Sequence, residues 1–167
     1  MSGNSLSCKI VLLGDARVGK TSLRRTFFGE GFQKPYEVTI GADFAAKRFG
    51  LNDKKEQNWM VTSNIWDLSG QNKFKIIRET YYKGVSGALM VYDISRQETF
   101  DSIKTWINEL VENNKQRMVP MVIIANKADL IEEMDNTIPP EMGRELAIKL
   151  TEEYGEPIQF IEASAKT

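Results

Sequence analysis

Short, continuous apolar runs alternate along the chain with segments in which apolar residues recur at helical spacing. The runs are CKIVLL (8–13), GALMVYD (87–93) and MVIIAN (121–126). They are too continuous for half-exposed strands and too short for most helices, so they predict buried parallel strands. Helical spacing of apolar residues occurs at 23–28, 100–111 and 142–150. Strands that alternate with helices predict a doubly wound α/β sheet.

One long segment, 41–67, breaks this alternation. It has extended stretches on either side of the polar sequence LNDKKEQN and no helical face, a pattern that predicts a long antiparallel hairpin. Farther along the chain, Pro139 and Pro140 predict the start of a helix, because proline fits the first helical turn. No repeat, low-complexity segment or flexible linker marks a boundary, so we expect a single domain over 1–167.

The composition narrows the classes of function. The 167 residues, 41% of them hydrophobic, suffice for one well-packed core. Because 22 basic residues nearly balance 23 acidic ones, we do not expect a nucleic acid as partner. With no histidine and the single cysteine Cys8, a structural zinc site and a Ser/His pair are ruled out, and any metal ion should be bound by oxygen. No signal peptide or membrane-spanning run is evident, so we expect a cytoplasmic protein.

A phosphate-binding pattern follows the first predicted strand, in GDARVGKTSL (14–23). Gly14, four further residues and then Gly19, Lys20 and Thr21 match the loop whose backbone N–H groups surround a β-phosphate at a helix N-terminus. Lys20 would reach the β- and γ-phosphate oxygens, and Thr21 would offer its hydroxyl to Mg²⁺. The alternative is a glycine-rich turn that binds nothing. The nucleotide contacts predicted here are Asp15, Ala16, Arg17, Val18, Gly19, Lys20, Thr21 and Ser22.

A second motif, NIWDLSGQ, ends an apolar strand of the predicted hairpin. Asp67 places a carboxylate where it can hold the water shell of a metal ion, and Gly70 can offer its backbone N–H to a γ-phosphate. Gln71 could then orient an attacking water. By itself a D-x-x-G sequence is more often only a turn, so its functional meaning depends on the phosphate loop that precedes it.

Two further segments, IIANKAD and FIEASAKT, each follow or contain a predicted strand and point to the base of the nucleotide. Asp129 can accept the N1–H and 2-amino donors of guanine, whereas adenine lacks this pair of donors. The N–H of Ala165 can donate to the guanine 6-oxygen, at a position where adenine has a donor. The predicted base contacts are Asn126, Lys127, Asp129, Ser164, Ala165 and Lys166.

With these motifs in this order, the chain resembles a small GTPase of the Ras superfamily, and most resembles the Rab branch. VTIGADF, NIWDLSGQNKF, YYKG, VYDIS, NKAD and EASAK all have close counterparts there, over nearly the whole chain. The resemblance implies a P-loop NTPase fold, the Ras-like G domain. This fold has a six-stranded, mostly parallel sheet with one antiparallel edge strand and helices on both faces. In that family a final helix and a tail with prenylated cysteines follow the SAK motif. We therefore expect this chain to be truncated, or a partner to cover the sheet there, with membrane association only through such a tail.

The resemblance also implies roles for individual residues. Thr39 belongs to switch I (33–44), with its hydroxyl on Mg²⁺ and its N–H on the γ-phosphate, and Phe32 packs against the guanine. Lys127 lies along the base and Ser164 steadies Asp129. The implied sets are Thr21, Thr39 and Asp67 for magnesium, Lys20, Thr39, Gly70 and Gln71 for catalysis, and Tyr36 as a further nucleotide contact. Effectors, exchange factors and GTPase-activating proteins would bind through switch I and switch II (68–80).

The implied activity is that of a GTP/GDP switch which slowly hydrolyses GTP, in Rab-like regulation of membrane trafficking. Ala16 and Arg17 depart from the usual residues of the family's phosphate loop. Ala16 could crowd Gln71 and slow hydrolysis, and Arg17 is either a solvent-facing side chain or a cation near the phosphates. The alternative function is a GTP-bound scaffold with little hydrolysis, suggested by Ala16 and LSGQN. A P-loop kinase or ATPase is disfavoured by NKAD.

Overall fold

Six strands form one sheet in the computed structural model, which describes residues 4–32, 39–55 and 57–167. The strands are β1 (Asn4–Leu13), β2 (Ala42–Asn52), β3 (Asn58–Leu68), β4 (Gly87–Asp93), β5 (Met121–Asn126) and β6 (Ile158–Ala163). Their order across the sheet is β2-β3-β1-β4-β5-β6. The edge strand β2 is antiparallel to β3, and every other neighbouring pair is parallel. The predicted α/β fold, with one antiparallel edge strand, is therefore confirmed.

The helices lie between these strands, as the alternation of patterns predicts. They are α1 (Lys20–Phe27), α2 (Lys75–Glu79), α3 (Gln97–Asp101), α4 (Ile103–Asn113) and α5 (Pro140–Tyr154), with short 3₁₀ turns at Asn72–Phe74 and Ala128–Leu130. The single helix expected at 100–111 is divided at Ser102. Its hydroxyl donates to the Glu98 carbonyl four residues earlier, a bond that competes with regular helix geometry.

Hydrophobic side chains pack on both faces of the sheet. In β4, Met90 and Tyr92 belong to the larger core, which includes side chains of α4 and α5, whereas Leu89 and Val91 face a smaller core. Leu23 of α1 packs against that smaller core. Successive side chains of a strand point to opposite faces of the sheet, so apolar side chains lie on both faces. Helices pack against each of these faces. Within the described part of the chain, no helix has the length and apolar character needed to cross a bilayer.

The candidate site lies where the parallel strands end. Strands β1, β3, β4, β5 and β6 run in the same direction, so their carboxyl ends meet at one edge of the sheet. Ligands of open α/β sheets bind at this edge. The topology thus brings together segments that are more than a hundred residues apart in the sequence, from the phosphate loop (14–21) to Ala165.

The packing of α4 yields a prediction about stability. Ile107 is fully buried in the larger core, so Ile107→Ala should lower the free energy of unfolding by about 2–5 kcal/mol. The matched control is Ile148→Ala in α5, whose side chain is 62% exposed and whose loss should cost no more than about 0.5 kcal/mol. Urea unfolding with GDP held at one saturating concentration measures both changes. Equal losses for the two variants would contradict this core.

Candidate functional site

The phosphate loop wraps tightly around the ammonium group of Lys20. Lys20 Nζ donates to the backbone carbonyl of Gly14 at 2.7 Å and to that of Asp15 at 2.8 Å. Burial lowers the pKa of Lys20 to about 8, although the negative charges of Asp67 and Asp15 act to raise it. The loop therefore holds a buried cation that a polyanionic ligand would favour electrostatically.

Two glycines make this loop possible. A Cβ on Gly14 would lie 2.1 Å from the Val91 carbonyl oxygen, and one on Gly19 would lie 2.2 Å from Asn126 Nδ2. Both glycines also have positive φ, 135° and 98°. Neither position can hold a side chain without moving its neighbours, so both glycines serve close packing as well as chain reversal.

Three side-chain oxygens converge beside Lys20, from three separate segments. Thr21 Oγ1 donates to Asp67 Oδ2 at 2.5 Å and lies 2.8 Å from Thr39 Oγ1. Asp67 is fully buried, and its Oδ1 has no hydrogen-bond partner among the described residues. Burial raises the pKa of Asp67. A hard, oxygen-binding cation such as Mg²⁺ fits this donor set, since it would satisfy a buried carboxylate that is otherwise incompletely paired.

Switch II begins in direct contact with the phosphate loop. A Cβ on Gly70 would lie 2.4 Å from the Asp15 carbonyl carbon and 2.5 Å from the Ala16 nitrogen, so only glycine fits there. The next residue, Gln71, is half-buried and lines a cavity of about 580 Å³ together with Ala16. The structure therefore brings the predicted Gly70 and Gln71 to the phosphate end of the site, with Ala16 close by.

The segment after β5 carries the carboxylate of Asp129, whose position is fixed by its neighbours. Asp129 Oδ1 accepts a bond from Ser164 Oγ at 2.7 Å, and Oδ2 lies 3.3 Å from Lys166 Nζ. The Ser164 hydroxyl holds the pKa of Asp129 below its ordinary value. Asn126 Nδ2 donates to the Val18 carbonyl at 2.6 Å and so ties this segment to the phosphate loop. Asp129 remains an anion at neutral pH, which suits a ligand with paired N–H donors.

Lys127 is held by Asp93, a residue that is not among the predicted site residues. Lys127 Nζ pairs with Asp93 Oδ2 at 2.5 Å, and Asp93 Oδ1 accepts bonds from the backbone and hydroxyl of Ser95. Although burial opposes it, these bonds hold the pKa of Asp93 below its ordinary value. The motif VYDIS ends a buried strand in an aspartate, and that signal could have identified Asp93.

A cavity of about 280 Å³ joins the phosphate loop to this segment. Its one lining residue missing from the sequence-based set is Leu130, an apolar side chain in the turn after NKAD. Phe32 is 43% exposed, and the Ala165 carbonyl accepts a bond from Thr26 Oγ1 at 3.0 Å. Tyr36 and the rest of 33–38 lie outside the described residues. The cavity is lined by Arg17, Gly19, Ser22, Phe32, Asn126, Lys127, Asp129, Leu130, Ala165 and Lys166.

The two unusual loop residues occupy distinct environments. Arg17 has φ of 68°, a left-handed conformation that is uncommon for residues other than glycine, and it faces the 280 Å³ cavity. The carbonyl of Ala16 accepts a bond from Arg96 Nη2 at 3.0 Å. No spacing rule links Arg96 to the phosphate loop, so the sequence offered no signal for this contact.

Comparison with known proteins identifies the family. The model of the Ras family matches residues 9–167. The chain belongs to the Ras family. It is 38% identical to Ras-related protein Rab-8B of Bos taurus over 159 residues, which cover 95% of this chain and 70% of that protein. Rab-8B of Homo sapiens is 37% identical with the same coverage, and Rab-8 of Diplobatis ommata is 38% identical over 95% of this chain and 69% of its own length.

Membership of this family establishes the general activity of the chain. The chain is a GTPase of the Ras family, a GTP-binding switch of the Rab-like kind that acts in membrane trafficking. In this Ras-family chain the buried lysine, the cluster of oxygen donors and the cavity ending at Asp129 lie along one edge of the sheet.

The cluster of oxygen donors yields a prediction for metal dependence. Asp67→Asn keeps the shape of the side chain but removes its charge, so the Mg²⁺ concentration that half-stabilises bound GDP should rise by about 10–100-fold. Asp135→Asn is the control, because Asp135 is an exposed aspartate in the loop between β5 and α5. The measurement is the dissociation rate of fluorescent GDP across a Mg²⁺ titration. An unchanged midpoint in Asp67→Asn would contradict this metal site.

Proposed function

We propose that the protein alternates between GTP-bound and GDP-bound forms with Mg²⁺, and that slow hydrolysis of GTP ends the form which effectors bind. The observation that carries this proposal is the contact of Thr39 with Thr21, and through it with Asp67. Thr39 lies in switch I, whereas Thr21 and Asp67 belong to the fixed scaffold of α1 and β3. Switch I thus reaches the metal and γ-phosphate end of the site.

Recognition of guanine follows from the direction of the hydrogen bonds. The Asp129 carboxylate would accept the N1–H and 2-amino donors, and the Ala165 N–H would donate to the 6-oxygen. Ser164 holds the Asp129 carboxylate in place through a hydrogen bond to its Oδ1 at 2.7 Å. With adenine, the Asp129 carboxylate would lose both donors, and such a mismatch costs more than the loss of an apolar contact.

The phosphates would bind to the phosphate loop, where backbone N–H groups and Lys20 supply positive charge. Thr21, Thr39 and Asp67 would hold the metal ion. When bound, Mg²⁺ neutralises charge on the β- and γ-phosphate oxygens. A bound triphosphate would also raise the pKa of Lys20 above about 8, because the phosphate charge would offset the effect of burial on the ammonium.

Hydrolysis depends on placing one water molecule in line with the γ-phosphate. We assign this role to the Gln71 amide, and we assign stabilisation of the γ-phosphate to the Gly70 N–H and Lys20. The close contact of Gly70 with the loop backbone supports this assignment. Ala16 lines the same cavity as Gln71, so its methyl group restricts the approach of Gln71 and favours a slow rate.

Loss of the γ-phosphate would release both switches, because Thr39 and Gly70 are each held through it. A partner can then distinguish the two forms by the surface that the switches present. That surface is strongly apolar: Ile40 and Ile76 are each 79% exposed. Trp66 packs between Phe44 and Tyr81 in tilted ring contacts, at ring-centroid distances of 4.8 Å and 4.9 Å. Exposed apolar groups of this kind are typical of binding surfaces, which supports effector recruitment through the switches.

The hydrolysis step yields a direct test. Protein loaded with GTP and Mg²⁺ should convert it to GDP over hours, and Gln71→Leu should slow the single-turnover rate by about a hundredfold, because leucine cannot orient water. The control Gln97→Leu makes the same change at an exposed position of α3 and should leave the rate unchanged. If wild-type protein retains its GTP as long as Gln71→Leu does, the alternative of a scaffold with little hydrolysis is favoured.

The base site yields a second prediction. Asp129→Asn replaces an acceptor of two donors with an amide, so GDP affinity should fall about a hundredfold, the loss expected from a charge-assisted hydrogen bond. Xanthosine diphosphate has a carbonyl where guanine has its amino group, and it should bind the variant better than GDP. Competition against fluorescent GDP measures both affinities. A variant that still prefers GDP over xanthosine diphosphate would show that Asp129 does not read the base.

A further inference from the structure

Switch II contains a buried cation that the nucleotide-binding motifs do not account for. Arg78 lies in α2, and its side chain is only 1% exposed. Its Nε donates to Glu109 Oε1 at 2.9 Å and its Nη2 to Glu109 Oε2 at 3.1 Å, which is the paired geometry of a guanidinium with a carboxylate. Glu109 also accepts a bond from the Tyr82 hydroxyl at 2.6 Å. The charge of Arg78 is thus balanced and fixed by α4.

The remaining nitrogen of Arg78 contacts the backbone on both sides of Gly70. Nη1 donates to the Ser69 carbonyl at 2.9 Å and to the Gln71 carbonyl at 2.8 Å. One nitrogen therefore fixes two carbonyls that flank the residue in contact with the phosphate loop. A backbone held at 69 and 71 restricts the position from which the Gln71 side chain extends.

The same guanidinium is linked to the phosphate loop through an aromatic ring. It lies over the ring of Trp106 at 4.6 Å, and Trp106 Nε1 donates to Asp15 Oδ1 at 2.8 Å. Ser102 Oγ bonds the other oxygen of Asp15 at 3.1 Å. Helix α4 thus holds the phosphate loop through Asp15 and switch II through Arg78, so the two segments share one rigid support.

We propose that Arg78 is a positioning residue for GTP hydrolysis, which acts by holding Gln71 in register with the phosphate loop. This inference rests on the proposed function, in which the Gln71 amide orients the attacking water. Arg78 itself does not reach the reacting atoms. Its effect is to limit the conformations of switch II, so that less entropy is lost when Gln71 takes its place.

The geometry requires a guanidinium rather than any cation. A planar fork bonds both oxygens of Glu109 while a further N–H group reaches the backbone, and a lysine ammonium cannot do both. Arg78→Lys keeps the charge that Glu109 needs but loses this fork. It therefore separates the positioning role from the general cost of a buried, unpaired carboxylate.

The test compares single-turnover hydrolysis of preloaded GTP with the dissociation rate of fluorescent GDP. Arg78→Lys should lower the hydrolysis rate at least about tenfold, because a displaced Gln71 loses its alignment, while GDP dissociation stays unchanged. In a Gln71→Leu background, Arg78→Lys should leave the residual rate as it is, since both changes act on one step. A purely structural role would change GDP dissociation or would slow both backgrounds equally.

The matched control is Arg144→Lys. Arg144 also bonds a glutamate, Glu162 at 2.9 Å, and lies over an aromatic ring, Phe160 at 5.5 Å, but it belongs to α5, away from the switches. This variant should hydrolyse GTP as the wild type does. Should Arg78→Lys fail to fold, the isosteric Glu109→Gln variant decides, because it loosens the same anchor without removing the guanidinium.

The outcomes separate the two proposals. If wild type hydrolyses GTP and Gln71→Leu does not, the proposed function stands. An Arg78→Lys rate equal to wild type, or a Glu109→Gln rate equal to wild type where Arg78→Lys does not fold, then overturns the positioning role alone. Equal slowing by Arg78→Lys in both the wild-type and Gln71→Leu backgrounds also overturns it.

Discussion

The phosphate loop meets its neighbours at three points where no side chain fits, and the arrangement of the site depends on these contacts. Gly14 lies against the Val91 carbonyl of β4, Gly19 against the Asn126 amide, and Gly70 against the loop backbone itself. Each contact joins the loop to a different segment: a central strand, the carboxyl end of β5 and switch II. Because backbone touches backbone or a fixed amide, a shift in any one segment is transmitted to the loop.

Three ionisable side chains at the site lie where a bound nucleotide would stabilise their charged forms. Burial disfavours the ammonium of Lys20 and the carboxylate of Asp67, whereas the hydroxyl of Ser164 favours the anion of Asp129. A bound GTP with its metal ion would supply opposite charge to Lys20 and Asp67 and hydrogen-bond donors to Asp129. Under the proposed function, the free energy of binding would come from groups placed in advance by the fold, and the energetic difference between GTP and GDP would fall on the two switches.

The sequence predicted those parts of the molecule that depend on local pattern. Continuous apolar runs marked β4 and β5 at their observed bounds, and the proline pair marked the start of α5. Spacing rules also placed the phosphate loop and the segment around Asp129. These signals work because backbone geometry and phosphate chemistry constrain neighbouring residues directly.

Contacts between distant side chains had no such signal. Arg78 and Glu109 are 31 residues apart on separate helices, and only the packing of α2 against α4 brings them together. Arg96 meets Ala16 across 80 residues in the same way. The division at Ser102 depends on a hydroxyl that bonds both its own helix and Asp15, which a periodicity argument cannot anticipate.

The central claim is that both switches close on the γ-phosphate. Amide hydrogen exchange tests it most directly, on protein bound to GDP and on protein bound to a GTP analogue that resists hydrolysis, each with Mg²⁺. The account predicts stronger protection of the amides at 39–41 and 70–71 with the analogue, while the amides of β4 exchange equally in both forms. Equal protection of both switches in the two forms would contradict the account.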